Sequence, residues 1–571
     1  MQYIALACDY DGTLATDGRV GPQVLASLAR LRESGRRLIM VTGRELPDLK
    51  RVFPELELFD LVVAENGALL YRPASRQSVP LAEPPPPRFA EMLRERAVEP
   101  LSVGEVIVAT WEPNETAVLE TIRDLGLELQ IIFNKGAVMV LPAGVNKGSG
   151  LQAALAELGL SAHNVVGVGD AENDHAFLHL CGCGVAVANA LPALKETADL
   201  VMQGERGAGV AELIDLMVET DLAEFDRRIE RHRLCLGTGA AGPVEIAPLR
   251  ANLLIAGTSG AGKSTLTTAL LERMAERAYQ FCIADPEGDY DALEGAIGAG
   301  EPDRAVTVPE VMELLRKPDV NVVANMLGIS LADRPGFFLE LLPELLSLRA
   351  SAARPHWIVI DEAHHMLPAA RDPGSLALPD RLEGALMVTV HPEAVSPAAL
   401  RQVNLLLVIG QQPQQTVETF CRAVGRDVPA VDPAPLERGE VLAWDLRAGR
   451  PPERVRVEPP RGEHRRHTRK YAEGKLGEDL SFYFRGPERK LNLRVQNLSL
   501  FVQIADGVDD ETWAHHLGAG DYSRWFREVI KDPELAGEAE AVERQEGLSP
   551  ADSRARIREA VEKRYTAPAT G

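Results

Sequence analysis

The sequence predicts an α/β protein: two helix-covered parallel sheets in tandem, the first interrupted by an inserted α+β segment, with a small helical module behind them. Three observations carry this reading. Short apolar runs alternate with helical patterns over residues 1–216 and again over 234–457, the order that builds a parallel sheet with helices on both faces. A chain of 571 residues exceeds what one core holds and suggests about three domains. Two of the apolar runs also end in loops built for phosphate, DYDGTL at residues 9–14 and GTSGAGKST at 257–265.

The elements follow in order. Residues 4–8, 37–41, 61–64 and 165–168 read as short apolar strands, and 22–33 and 147–158 as helices between them. A cap is expected at about 79–141, opened by the proline run 84–87. Within it, strands are expected at 106–110, 127–134 and 137–141, and a helix at 114–125. Residues 217–233 read as a charged helical connector. The second α/β block runs over 234–457. Residues 458–571 form an accessory module, basic and aromatic at first and acidic from 532 onward. Over 461–494, ten basic side chains face five acidic ones.

A formal net charge of −23 argues against a surface that broadly coats nucleic acid, though a basic channel confined to one region stays open. The six cysteines are scattered through apolar segments, and Cys181-Gly-Cys183 lacks a second pair at zinc spacing. Buried reduced thiols are the expectation. Asp9 and Asp11 interrupt the first apolar stretch, and no apolar run approaches the ~20 residues that span a bilayer. The expected location is the cytoplasm, with no membrane partner.

At the first loop, Asp9 and Asp11 stand two apart at a strand end and so face one side of the loop. The carboxyl edge of a parallel sheet is where ligands sit in open α/β folds. One carboxylate can attack phosphorus while the other protonates the leaving oxygen. Gly12 lets the chain turn away. Thr42 in VTGR offers a hydroxyl to a phosphate oxygen, Lys147 in NKGSGL a cation, and Asp170 and Asp174 in VGVGDAENDHAF oxygen ligands suited to Mg²⁺.

These motifs, in this order, resemble the haloacid dehalogenase superfamily, specifically its Cof-type, lid-bearing phosphatases. The resemblance covers about the first 215 residues, including ENGA at 65–68 and GVAVANA at 184–190. It implies a Rossmann-like domain in which Asp9 is the nucleophile through an aspartyl-phosphate and Asp11 the general acid/base. Thr42 and Lys147 would sit on the phosphoryl group. Mg²⁺ would be held by Asp9, the Asp11 carbonyl and Asp170, supported by Asn173 and Asp174. Gly43, Arg44, Asn66 and Asn173 are the expected substrate contacts. The cap resembles those of phosphatases acting on sugar phosphates, phosphoglycolate or similar small monoesters. His175 reads as a helix-surface residue.

The second loop fits Gly-x4-Gly-Lys-Ser, with a strand before it and the helical run 265–277 after it. Gly257, Thr258, Ser259, Gly260, Ala261, Gly262, Lys263, Ser264 and Thr265 are the expected ATP-binding residues. Lys263 reaches the β- and γ-phosphates and Ser264 takes Mg²⁺. In HWIVIDEAHH, Asp361 would hold that metal through water and Glu362 would polarise the attacking water. With IADPEGDY at 283–290 and RQVNLLLVIG at 401–410, the block resembles the HerA/FtsK superfamily of ring-forming ATPases. It departs from that pattern at MVTVHPE, where Val390 stands in place of the sensor glutamine, and the segment before Asp361 is short. Arg401 and Arg422 are candidates for an arginine finger.

Together the resemblances imply a Mg²⁺-dependent phosphatase for small phosphomonoesters, fused to an ATP-hydrolysing domain that regulates it or assembles it into a homo-oligomer, a ring being one form. The alternative is a HerA-like nucleic-acid motor with an end-processing phosphatase. The interleaved aromatics and basic residues of the C-terminal module fit nucleic-acid binding. They also fit a compact core of Trp513, Tyr522, Trp525 and Phe526 with solvated basic residues around it.

Overall fold

In the computed structural model of the protein, the apolar runs that end in polar loops become the strands of two large sheets. The structure describes all residues except 135, 226–227, 230, 249, 292, 370–381, 462–475, 477–479, 488–489, 531, 546 and 566–571. The chain divides into two compact units, Met1–Arg233 with Leu346–Arg354, and Leu234–Leu345 with Pro355–Gly571.

In the first unit, β1 (Ala5–Cys8), β2 (Arg37–Val41), β3 (Leu61–Ala64), β4 (Leu69–Arg72) and β5 (Gln77–Pro80) come before the insertion. The insertion contributes β6 (Ser102–Val103), β7 (Val108–Trp111), β8 (Leu129–Asn134) and β9 (Ala137–Pro142). After it come β10 (Val165–Gly169), β11 (Cys183–Ala186) and β12 (Leu200–Val201). The main sheet has the order β12-β11-β10-β1-β2-β3-β4-β5, parallel as far as β3 and antiparallel beyond it. Every residue of β1, β3, β10 and β11 is buried. That is why these strands read as unbroken apolar runs rather than alternating ones.

Val79 and Pro80 belong to β5, which pairs with β4, so the cap begins after them. It consists of the helices Pro87–Glu95 and Glu115–Leu125 and a sheet ordered β6-β7-β9-β8. Phe89, Leu93, Val118, Val138 and Val140 pack its helical face. On the other face, Met139 and Leu141 join Val106, Ile107 and Ala68 in a second cluster.

The expected helical connector at 217–233 needs correction. The helix Arg206–Thr220 stops there because Asp221 and Leu222 both adopt left-handed backbone, with φ of 52° and 57°. The Asp221 carboxylate accepts from the Gln2 and Tyr3 amides and from Arg36, so its side chain ties down the N-terminus. Only a single 3₁₀ turn, Ala223–Phe225, follows among the described residues.

The second unit is built on β13 (Leu234–Gly239), β14 (Gly242–Ile246), β15 (Asn252–Gly257), β16 (Phe281–Asp285), β17 (Ala296–Ala299) and β18 (Asn321–Asn325). Its later strands are β19 (Trp357–Ile360), β20 (Ala385–Thr389), β21 (Leu405–Ile409), β22 (Glu440–Asp445) and β23 (Glu453–Val457). Their order is β14-β13-β23-β22-β21-β15-β20-β19-β16-β18-β17, parallel from β21 to β17. The C-terminal part adds a ribbon of β24 (Phe482–Phe484) and β25 (Leu493–Val495) and five helices from Leu498 to Tyr565. Trp513, Tyr522, Trp525 and Phe526 all lie in its core, with Tyr522 stacked on Trp513 at 4.4 Å. The aromatics are therefore used for packing. Most of the basic stretch, His464 and His467 included, lies outside the described residues. Among the described residues, no helix is long and apolar enough to cross a membrane, and all six cysteines are free.

Candidate active site and nucleotide-binding loop

Cys8 ends β1, and the next residue, Asp9, is buried where its amide bonds the Val168 carbonyl of β10. Its Oδ1 accepts from Lys147 Nζ at 2.5 Å, and the same ammonium donates to Asp174 Oδ1 at 2.6 Å. Lys147 opens the helix Lys147–Leu158, whose start is fixed by the Asn146 side chain accepting from the Gly148 and Ser149 amides. Asp174 Oδ2 takes the Asp170 and Ala171 amides at 2.8 and 2.9 Å. Thr13 Oγ1 donates to Asp170 Oδ1 at 3.3 Å, and Asn189 Nδ2 to the Gly12 carbonyl at 2.8 Å. One oxygen each from Asp9, Asp170 and Asp174 lie within 4.8 Å of one another.

Burial, with Asp174 adding to it, pushes the Asp9 carboxyl up to about 7 against the opposing pull of Lys147. Burial also works against the Lys147 charge, but Asp174 and Asp9 hold the ammonium above its usual range.

Asp11 is half open to solvent and grips Arg44 with both oxygens, from Nε at 2.6 Å and Nη2 at 2.7 Å. Arg44 also pairs with Asp48. Thr42 is buried and accepts from the Arg44 amide at 3.1 Å. A Cβ on Gly43 would stand 3.7 Å from both Asn173 Nδ2 and Met139 Sδ, which places cap strand β9 directly over this turn. Asn173 Nδ2 donates to Asn66 Oδ1 at 2.9 Å. Asn66 Nδ2 and Asn173 Oδ1 are buried without a hydrogen-bond partner among the described residues. Glu65 and Asn66 have φ of 51° and 54°, conformations costing about 1–3 kcal/mol each that persist where the surroundings fix them. His175 meets Thr197 on the helix surface, as the sequence suggests.

In the second unit β15 runs into the glycine loop. Gly260 and Gly262 have φ of 73° and 100°, open to glycine and strained for other residues. Thr258, Ser259, Gly260 and Gly262 are exposed, Ala261 and Thr265 are half-buried, and Lys263 is buried, its Nζ on the Thr258 carbonyl at 3.2 Å. Ser264 Oγ donates to Asp289 Oδ2 at 2.8 Å. Asp361 follows β19, and its carboxyl is raised well above the usual range by burial and by the neighbouring Asp289 and Glu362. Glu362 sits at φ 43° with Oε2 3.4 Å from His364 Nδ1, and His364 also meets Thr389 Oγ1 at 3.1 Å.

Four residues that hold these sites together went unassigned in the sequence: Glu65, Asp48, Asn189 and Asp289. Each acts on a segment distant in sequence or on a loop whose shape the motif does not encode. Three of them had a signal, since Glu65 lies in ENGA, Asn189 in GVAVANA and Asp289 in IADPEGDY.

A profile for haloacid dehalogenase-like hydrolases matches residues 6–88 and 103–214. A phosphoglycolate phosphatase of Methanothermobacter thermautotrophicus is 33% identical over 217 residues, 37% of this chain and 96% of that protein. The chain belongs to the haloacid dehalogenase-like hydrolases. Phosphoglycolate phosphatase 2 of Saccharolobus solfataricus is 29% identical, over 37% of this chain and 91% of its own length. The solved structure of a haloacid dehalogenase-like hydrolase from Bacteroides thetaiotaomicron overlays 38% of this chain and 99% of its own, at 20% identity and a TM-score of 0.34. Fused behind the hydrolase domain, residues 243–366 match the central domain of helicase HerA.

Proposed function

We propose that the hydrolase domain is a Mg²⁺-dependent phosphatase of small phosphomonoesters, phosphoglycolate and small sugar phosphates being the class to test first. The observation that carries this is Asp9, buried at a strand end with Lys147 at 2.5 Å and two further carboxylates beside it. The residues fit a hard divalent cation: three buried carboxylates converge, two share one ammonium, and Asp9 is pushed toward neutrality. Asp9, Asp170 and the Asp11 carbonyl would hold the ion, while Asp174 fixes Lys147 and the loop amides. When bound, magnesium neutralises these carboxylates and the phosphoryl oxygens.

In this reading the Asp9 carboxylate attacks phosphorus, and the bond to the leaving oxygen breaks as the aspartyl-phosphate forms. For this the pair of Asp11 with Arg44 opens; Asp11, then protonated, gives the leaving oxygen its proton and afterwards takes one from the water that cleaves the acyl phosphate. Thr42 and Lys147 bind the phosphoryl oxygens. Gly43, Arg44, Asn66 and Asn173 line the leaving-group side, and the unpartnered amide atoms of the two asparagines suit a polar leaving group.

We infer that the HerA-type domain binds and hydrolyses ATP. Lys263 and the loop amides grip the phosphates, Ser264 and Asp361 hold the ion, and Glu362 polarises water. Asp289 accepts from the Ser264 hydroxyl and, with Glu362, raises the Asp361 carboxyl, so acidic groups gather beside the loop. Nucleotide at subunit boundaries would favour a homo-oligomer that displays and regulates the hydrolase domains.

A panel of phosphomonoesters, with and without ATP, tests the phosphatase; no turnover of any small ester with magnesium would refute it. Particle mass with and without ATP tests assembly. The likeness to a helicase domain favours one second reading, a nucleic-acid motor with an end-processing phosphatase. Strong stimulation of ATP hydrolysis by duplex DNA at physiological salt would select it.

A further inference from the structure

The cap is joined to the hydrolase domain by two chain crossings, one after β5 and one between β9 and Lys147. A third attachment is not covalent. Glu65, at the end of β3 in the main sheet, is fully buried and sends its carboxylate into the cap. Oε1 accepts from the Glu105 amide at 2.9 Å, and Oε2 from the Val106 and Ile107 amides at 2.8 and 2.9 Å. A buried carboxylate is tolerated where backbone N–H groups meet it, and it is costly to leave bare.

The fit around this contact is tight. Gly104 is the cap residue facing the carboxylate, and a Cβ there would stand 2.6 Å from Glu65 Oε1. Val106 and Ile107 pack beside the tether with Ala68, Met139 and Leu141. Glu65 is itself fixed from the phosphate side: its amide bonds the Arg44 carbonyl at 3.0 Å, and the Asn66 amide bonds the Thr42 carbonyl at 3.0 Å. One left-handed turn therefore touches the VTGR loop with its backbone and the base of the cap with its carboxylate.

We propose that Glu65 is a positioning residue that sets the cap's orientation over the phosphate loop and thereby limits the size of the leaving group. Met139 stands over Gly43 because β9 is held there, and the side chains of Val106 and Ile107 bring the tether and Met139 into one cluster. Freed of the carboxylate, the cap base loses three hydrogen bonds while both crossings remain, so the cap can swing without leaving. This inference rests on the phosphatase reading for its consequence in substrate choice and not for the tether itself.

Two variants of the full chain test it from opposite sides. Glu65→Gln keeps the shape but offers an NH₂ to amides that need acceptors. Gly104→Ala retains the Glu65 residue but pushes its carboxylate off the amides with a methyl group. Hydrogen exchange of the 105–107 amides is expected to speed up at least tenfold in both, with β1 and β2 unchanged. The ratio of kcat/KM for 2-phosphoglycolate over that for a hexose 6-phosphate is expected to fall at least tenfold in both. Unchanged exchange at 105–107 would overturn the proposal. So would faster exchange throughout the main sheet, or an unaltered substrate ratio beside a loosened cap base. Should the unmodified chain cleave no phosphomonoester, the phosphatase reading falls, and exchange alone upholds or rejects the tether.

Discussion

Asp9→Asn should abolish ester cleavage and yet stabilise the metal-free hydrolase domain. An amide cannot form the acyl phosphate, so turnover is lost. The stability effect follows from Asp9 being held at about 7 against 3.8 for an unperturbed aspartate. About three pKa units at ~1.4 kcal/mol each correspond to ~4 kcal/mol of destabilisation once the pH exceeds both values. The sign is fixed by linkage: between pH 4 and 7 the folded carboxyl keeps a proton that the unfolded one releases, so stability falls as pH rises through that window. Asparagine removes this burden but also one of the two partners of Lys147, with Asp174 remaining. The variant is therefore favoured at pH 8 by less than that ~4 kcal/mol, and the two differ little near pH 4. The assay is urea unfolding of the full chain in chelator, equilibrated at several pH values. A hydrogen-exchange pulse at one fixed pH, read on peptides from β1 and β10, then reports the hydrolase domain alone. Saturating Mg²⁺ should reverse the order, because only the carboxylate contributes a charge to the ion. A difference that is the same at every pH, or a metal-free wild type more stable than the variant at pH 8, would refute the electrostatic argument.

Lys147→Met should destabilise the hydrolase domain by roughly 3–5 kcal/mol in the same assay at pH 8, because it leaves Asp9 and Asp174 buried without their ammonium. Lys263→Ala should weaken ATP binding at least tenfold by fluorescent-nucleotide titration. Glu362→Gln should bind within threefold of wild type while hydrolysis falls at least a hundredfold; equal loss of binding in both would make Glu362 structural. Trp513→Ala should cost the C-terminal helices about 3–5 kcal/mol and leave ester turnover unchanged, which a thermal melt and the ester assay check together.

The frame of each site was legible because its signals are local. Residues 37–41, 61–64, 22–33 and 147–158 form the strands and helices that their patterns suggest. An apolar run buried on both faces that ends in Asp-x-Asp-Gly or in Gly-x4-Gly-Lys-Ser places its loop at a sheet edge with little freedom. The connector failed for the opposite reason. Residues 221–233 carry helical composition, but the Asp221 carboxylate is worth more bonded to the Gln2 and Tyr3 amides and Arg36 than exposed on a helix. Propensity within a segment cannot see a partner more than two hundred residues away. The start of the cap was misplaced likewise, because Val79 belongs by pattern to either sheet and only its register with Leu70 decides.

What stayed hidden is the set of contacts that turns motifs into machinery. Asp11 is legible as an acid, but its bidentate hold on Arg44 is not, since the arginine follows a different strand. The same division separates Ser264 from Asp289, and Glu65 from the amides of residues 105–107. In each case the motif residue is constrained by its local pattern, while the contact that joins it to a second segment is set by the fold. Chemistry limits the first to a few residue types at a fixed spacing, so it leaves a mark in one sequence. The partner needs only to reach, with the right charge, from wherever the fold brings its segment. Motif residues therefore stand out in a single sequence, and the contacts that hold them in place do not. Glu65 illustrates this most sharply: it lies within ENGA beside Asn66, an expected substrate contact, and its carboxylate accepts from the cap amides of residues 105–107.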